Sequence, residues 1–282
     1  MKVNNKQRLF LSFAAILLIY WLILLLTNQT SSKLNYLDGF LYSIVPVAAG
    51  IIALLKASYW EKERLIRKGV AWGGLGLFFW GTGGVIWAYY NFFLNNAIPY
   101  PSVADIFYLP GMLFCSVGVF YFARASGPDL RFRSLKKKIF FAGITIGVAV
   151  ISYFLLVAVA RKGEFLSPAN SAVDNFLDIA YPYVDFVGLT IAALILGTSF
   201  KYVILKYRIA LLSLIAGLVF MFISDTYFSY IVIHGSFLSD NLSDLFFTLA
   251  TSMLVFGVLG FCNEETDPAP RKIHLFEFMK YY

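Results

Sequence analysis

Eight stretches of about 20 predominantly apolar residues follow one another along this chain. A helix of that length spans the ~30 Å hydrocarbon core of a bilayer. The stretches are continuously apolar and do not alternate, which argues against a transmembrane β-barrel. Only 14% of the 282 residues are charged, whereas a soluble domain is about 25% charged. The sequence therefore predicts an all-α fold, a polytopic membrane helical bundle of eight spans.

Short polar or charged loops separate the predicted spans. The spans cover Leu9–Leu26, Asp38–Ala57, Gly69–Leu94, Val103–Ala123, Ile139–Ala160, Phe176–Phe200, Ile209–Ile233 and Leu242–Phe261. We expect residues 1–262 to form the transmembrane domain and residues 263–282 a short cytoplasmic tail, too short for a folded soluble module. The tail is either an amphipathic segment on the membrane or a partner, or a disordered end.

The basic residues predict the orientation of the spans. With eight spans, 20 of the 23 Lys and Arg residues lie on the side of the N-terminus. Cytoplasmic loops carry this excess of positive charge, so we expect both termini to be cytoplasmic in a multi-pass protein of the cell membrane. The net charge of +7 then reflects topology control or contact with anionic lipid headgroups of the bilayer, and it does not indicate a nucleic-acid partner.

A four-residue signature of helix N-termini occurs four times. It reads Asn35-Tyr-Leu-Asp38, Ser102-Val-Ala-Asp105, Asn175-Phe-Leu-Asp178 and Asn241-Leu-Ser-Asp244. In a capping box the side chain of the first residue accepts a hydrogen bond from a free backbone N–H of the helix. The side chain of the fourth residue accepts one from the backbone N–H of the first residue. We therefore predict one helical hairpin used four times, with each return helix beginning at a capped acidic end on the extracytoplasmic side.

Two further acidic residues lie deep within predicted spans. Asp185 is in the sixth span and Asp225 in the seventh. A charged side chain near the bilayer centre costs at least about 2.5 kcal/mol and is commonly functional or paired. With nearby tyrosines they suggest an acidic, aromatic-lined pocket for a cation, an amine or a quaternary ammonium group. The predicted ligand-binding residues are Asp105, Asp178, Tyr181, Asp185, Asp225, Tyr227 and Asp244. Helix capping alone would explain Asp105, Asp178 and Asp244, and an interfacial aromatic belt would explain the tyrosines. Capping does not explain Asp185 and Asp225, for which a functional role or a polar contact between helices is expected.

The sequence has few of the residues and motifs that form enzyme active sites or bind cofactors. His234 and His274 are the two histidines, and neither forms an inward-facing pair for haem. No lysine lies in the middle of a span, and the phosphate-binding glycine loop and the HExxH and CxxC motifs are absent. Cys115 and Cys262 have no partner at metal-binding spacing and are predicted to be packing residues. No enzyme activity, cofactor or metal is therefore assigned.

Three segments resemble a known family of membrane modules. They are Pro99-Tyr-Pro-Ser-Val-Ala-Asp-Ile-Phe-Tyr-Leu-Pro-Gly111, Asn175-Phe-Leu-Asp-Ile-Ala-Tyr-Pro182 and Ser224-Asp-Thr-Tyr-Phe-Ser-Tyr230. These resemble the integral membrane sensor region at the N-terminus of many bacterial diguanylate cyclases and some histidine kinases, over roughly residues 10–262. The resemblance implies a multi-span signal-input module. Because no cyclase or kinase domain is present, its output would come from a separate signalling protein.

The leading expectation is a sensory or ligand-binding membrane protein that receives a small cationic ligand and signals through a separate partner. A cation- or proton-coupled transporter of a small solute is the second hypothesis, which prolines and carboxylates within the spans would fit. A non-catalytic subunit of a membrane complex is also compatible with the sequence. An intramembrane enzyme acting on lipid ranks last, because no nucleophile–base pair stands out.

Overall fold

The computed structural model describes residues 5–27, 33–58, 60, 63–94, 101–125, 135–164, 171–199, 205–233 and 242–262. These residues form helices and no strands. The eight α-helices are α1 (Asn5–Leu26), α2 (Lys33–Ala57), α3 (Arg64–Tyr89), α4 (Asp105–Ala125), α5 (Leu135–Ser152), α6 (Ala172–Ser199), α7 (Leu205–Ile233) and α8 (Leu242–Phe261). Two π-helical segments, Tyr90–Leu94 and Tyr153–Val159, continue α3 and α5.

Eight helices in the described part of the chain are long and apolar enough to cross a membrane. This confirms the predicted all-α class and supports a multi-pass membrane protein. The prolines at 46, 110 and 182 lie inside α2, α4 and α6. The predicted tail at 263–282, His234 and most of the loops lie outside the described residues.

Two of the four predicted capping motifs lie inside helices. Since α2 begins at Lys33 and α6 at Ala172, Asp38 and Asp178 occupy the second turn of their helices and cannot cap them. At α6 the cap is Ser171, whose hydroxyl accepts a hydrogen bond from the Asp174 N–H at 3.2 Å, while the Ser171 N–H donates to the Asp174 carboxylate at 3.0 Å. The predictions for Asn35–Asp38 and Asn175–Asp178 were therefore wrong, because apolar periodicity does not separate overlapping capping signals.

Glycines bring α2, α3 and α4 into close backbone contact. A Cβ atom added to Gly50 of α2 would lie 2.6 Å from the Gly74 carbonyl oxygen of α3. On the other face of α3, a Cβ atom on Gly76 would lie 2.5 Å from the Cys115 backbone nitrogen of α4. Small residues allow this close approach in membrane bundles, where van der Waals packing holds helices together. The glycines of α3 therefore set the spacing of these three helices.

A second tightly packed pair is formed by α7 and α8. Gly217 of α7 faces the Leu254 side chain, and Gly257 of α8 faces Leu214. Near the end of α8 the Phe261 ring stacks on Phe122 of α4, with centroids 4.0 Å apart, and on Tyr207 of α7 at 4.9 Å. These rings join the α7–α8 pair to the three-helix group. By contrast, α1 and α5 expose long apolar faces, as expected for helices that face lipid.

Replacing Gly50 with alanine tests the role of the close contact. Because the added methyl group would overlap the backbone of α3, Gly50→Ala should lower the free energy of unfolding by about 1–3 kcal/mol. Thermal unfolding of the purified protein in detergent measures this. The control is Gly143→Ala in α5, where an added Cβ atom meets nothing within 4 Å. Its better helix propensity, worth up to about 1 kcal/mol, should leave stability unchanged or raised. Equal destabilisation by both variants would contradict the assignment.

Candidate functional site

Asp105 lies at the first turn of α4 and closes a capping box with Ser102. Its Oδ2 accepts hydrogen bonds from the Ser102 N–H at 2.7 Å and the Ser102 hydroxyl at 3.1 Å, while the Ala104 N–H donates to the Ser102 oxygen at 3.2 Å. The predicted Ser102–Asp105 cap is therefore confirmed. The other carboxylate oxygen, Oδ1, accepts a 2.7 Å hydrogen bond from the Tyr181 hydroxyl of α6. Capping thus uses one oxygen of Asp105 and leaves the second for a contact between helices.

Tyr108 lies one turn after Asp105 and faces the centre of the bundle. Its ring packs on Trp80 of α3 at a centroid distance of 4.6 Å. A Cβ atom on Gly83 would lie 2.9 Å from the Tyr108 ring, so glycine at this position is what admits the ring. Tyr108 lies within electrostatic range of the carboxyl groups of Asp105, Asp225 and Asp244. It therefore occupies the middle of the predicted acidic group.

Asp185 and Asp225 are in contact between α6 and α7. Their carboxyl groups lie within hydrogen-bonding distance of each other, and Asp185 is only 3% exposed. Oδ2 of Asp185 accepts no hydrogen bond from an N–H or hydroxyl donor of the described residues. No Lys or Arg of the described part forms an ion pair with either carboxyl group. Each carboxyl group thus has the other as its polar neighbour.

Asp244 and Tyr227 have different surroundings. Asp244 is the third residue of α8, which is the position that the predicted cap requires, but Asn241 lies outside the described residues. The Tyr227 ring packs edge-on against Phe246 at 6.1 Å. Tyr227 also lines an apolar groove of about 250 Å³ between the segment Tyr153–Val159 and α7. The carboxyl groups do not line this groove, and no hydrogen bond of the described residues links Tyr227 to them, so the structure does not bring Tyr227 into the predicted acidic group.

Asp178 has a different partner from the rest of the predicted site residues. Its Oδ1 accepts a 2.9 Å hydrogen bond from Nη2 of Arg161, and both side chains are largely buried. Arg161 follows the π-helical segment, where Lys162 and Gly163 adopt positive φ angles of 52° and 85°. The Gly163 N–H bonds back to the Val157 carbonyl oxygen at 2.9 Å. This tight turn brings the arginine to α6 and forms an ion pair between elements.

We name Asp105, Tyr108, Tyr181, Asp185, Asp225 and Asp244 the acidic–tyrosine cluster. It extends from the end of the bundle where α4 and α8 begin to Asp185 near the middle of α6. Tyr181 is within electrostatic range of Asp105, Asp225 and Tyr108, so both tyrosines interact with Asp105 and with Asp225 of the pair. Carboxyl oxygens and tyrosine hydroxyls can bind a small cation or exchange a proton. Among the described residues no group of three His, Cys, Asp or Glu side chains is placed to hold a metal ion.

Sequence reasoning missed three polar residues near this cluster. Tyr108 follows Asp105 by three positions and so shares its helix face, which is a usable signal. Ser116 is fully buried, and its hydroxyl lies 3.1 Å from the Cβ position of Gly188, one turn beyond Asp185. Arg161 falls just after the fifth predicted span, and no pattern in the sequence indicates that it reaches Asp178.

No family model, curated protein or solved structure matches the chain. The likeness to the integral membrane sensor region therefore rests on the short proline, aromatic and aspartate segments of the sequence.

Removing the Tyr181 hydroxyl tests the link between α4 and α6. Tyr181→Phe should lower the free energy of unfolding by about 0.5–1.5 kcal/mol, because one oxygen of Asp105 loses its donor. The matched control is Tyr183→Phe on the same helix. Because Tyr183 is 62% exposed, loss of its hydroxyl should leave the free energy of unfolding unchanged. Thermal unfolding of both variants measures the difference. Equal effects would show that the bond from Tyr181 to Asp105 contributes nothing.

The ion pair between Arg161 and Asp178 should contribute more to the free energy of unfolding than the hydrogen bond from Tyr181 to Asp105. Arg161→Ala leaves a buried carboxylate without its cation, so we expect a loss of about 3–5 kcal/mol in unfolding free energy. Lys162→Ala, at the exposed next residue, is the control. The double variant Arg161→Met, Asp178→Leu should recover much of the loss, because it leaves no unpaired charge. Additive effects of Arg161→Met, Asp178→Leu and their double variant in a thermal-unfolding cycle would refute the coupling.

Proposed function

We propose that this protein is a membrane-embedded sensory module whose input site is the acidic–tyrosine cluster and whose ligand is a small cation. The observation that carries the proposal is the contact between Asp185 and Asp225 inside the bundle. Two carboxyl groups together are a costly arrangement in an apolar interior. A cation bound between them would offset their repulsion. Cation binding would therefore account for the pair of carboxyl groups, which packing alone does not.

The proposal includes an orientation and an output. The basic residues favour cytoplasmic termini, which would place the cluster in the extracytoplasmic half of four like-oriented hairpins in the cell membrane. A ligand from outside would then reach Asp105 and Tyr181 first. The output would pass through the basic cytoplasmic loops to a separate signalling protein. The motif resemblance to sensor regions supports this division of labour.

A cation-binding experiment tests the input site. Purified full-length protein in lipid nanodiscs is titrated calorimetrically with Na⁺ and, separately, with methylammonium. We expect saturable binding of one of them, weakened at least about tenfold by Asp185→Asn and by Asp225→Asn, because each variant removes a negative charge from the site. The control Glu164→Gln removes an exposed carboxylate and should bind like the wild type.

Binding of both probes that is unaffected by the two Asn variants would reject the cluster as the input site. Absence of saturable binding in the wild type would reject the proposed function for small cations. The variants must first give the wild-type helical circular dichroism and a single gel-filtration peak, so that misfolding is not read as lost binding.

A transporter is the second candidate, and the depth of Asp185 favours it. Asp185 lies near the middle of α6, and carboxyl groups at such depth mark ion and proton pathways in membrane proteins. Uptake of labelled methylammonium into proteoliposomes decides between the two functions. Accumulation that Asp185→Asn abolishes would favour transport, whereas binding without uptake would favour sensing.

A further inference from the structure

Two buried carboxyl groups touch each other, although no basic side chain of the described residues neutralises them. Asp185 is only 3% exposed and lies within hydrogen-bonding distance of Asp225. A carboxylate can only accept hydrogen bonds. Two ionised carboxylates in contact would therefore repel each other and have no proton to form a bond. A hydrogen bond between the two groups requires that one of them carries a proton.

We propose that Asp185 and Asp225 share one exchangeable proton and that a monovalent cation binds to the cluster by displacing it. This inference rests on the proposed function and names the chemistry of its ligand. In the resting site one Asp donates its O–H to the carboxylate of the other. On binding, the O–H bond of that Asp breaks, the electron pair stays on its carboxylate, and both carboxylates contact the cation. The proton leaves for water.

Exchange of one proton for one monovalent cation conserves the charge of the pair. The protonated pair carries one net negative charge, and two carboxylates with one monovalent cation carry the same charge. Exchange of one proton for one such cation therefore leaves the buried charge unchanged. A divalent ion in exchange for one proton would instead leave the pair neutral, so the exchange conserves charge only for a monovalent cation.

A second, independent polar group faces the same region. The Ser116 hydroxyl of α4 is fully buried and has no hydrogen-bond partner among the described residues. It lies against α6 at Gly188, which is one helical turn from Asp185. Buried hydroxyls are nearly always satisfied. The Ser116 hydroxyl therefore remains available as a further oxygen, one helical turn along α6 from Asp185.

The neighbouring groups supply a route for the proton. The titratable and charged side chains on the elements packed around the pair are Asp105 and Tyr108 on α4, Tyr181 and Asp178 on α6, Tyr227 on α7, Asp244 on α8 and Arg161 after the π-helical segment. Asp178 and Arg161 are paired with each other. Tyr181 donates to Asp105, which lies at the partly exposed beginning of α4. Tyr108 and Tyr181 are both within electrostatic range of Asp225 and of Asp105, so we propose that the proton reaches the surface through their hydroxyls.

Infrared difference spectroscopy of the full-length protein in nanodiscs tests the shared proton without any ligand. At pH 7 the wild type should show a protonated-carboxyl C=O stretch that shifts in D₂O. The band should vanish in both Asp185→Asn and Asp225→Asn, because an amide can donate to the remaining carboxylate and no proton is needed. It should persist in the control Asp174→Asn, which changes a carboxylate at the beginning of the same helix. Absence of the band from the wild type, or its survival in both variants, would overturn the inference.

Calorimetry in buffers of different ionisation enthalpy tests the exchange itself. With Na⁺ or methylammonium as the probe, about one proton should be released for each cation bound, and the apparent Kd should rise up to about tenfold for each unit of pH decrease. Binding that is independent of pH and releases no proton would overturn the exchange and leave the proposed function standing. Failure of both cations to bind would overturn both.

Discussion

A carboxyl group inside a membrane bundle must find its partner on another element, and this constraint organises the polar interior of the protein. Many serine and threonine hydroxyls are satisfied locally, as in Ser43, Thr82 and Ser224, which donate to the carbonyl oxygen one turn back in their own helices. An ionised carboxylate has no hydrogen to donate, and the helix N–H groups are already used. Asp105, Asp178 and Asp185 therefore join elements of the bundle, whereas these hydroxyl groups remain within one helix.

Three solutions to this constraint occur side by side. Asp105 caps its own helix with one carboxylate oxygen, and its other oxygen accepts a hydrogen bond from the Tyr181 hydroxyl of another helix. Asp178 takes the guanidinium group of Arg161. Asp185 takes a second carboxyl group, Asp225, which is the least favourable partner of the three. Asp105 and Asp178 have partners suited to stability, and Asp185 on the same helix as Asp178 does not.

The sequence predicts the fold far better than it predicts the site. Eight apolar runs determine eight helices because each backbone must satisfy its hydrogen bonds within itself in the bilayer. The depth of Asp185 and Asp225 is likewise visible in the sequence, since their distances along α6 and α7 follow from the helical rise. Their contact is not visible, because it depends on how α6 and α7 are rotated and packed. Capping signals are ambiguous for a local reason: Ser171 and Asn175 can both begin a helix, and only the fold selects the first.

The π-helical segment Tyr153–Val159 has a consequence for how this bundle can move. A π-helix closes each hydrogen bond over one residue more than an α-helix, so the segment holds an extra residue within its turns. Conversion of these turns to α-helix would rotate everything that follows around the helix axis. Arg161, held at the end of the segment by the turn at Gly163, would swing away from Asp178. The helical register after α5 and the ion pair between Arg161 and Asp178 would therefore change together.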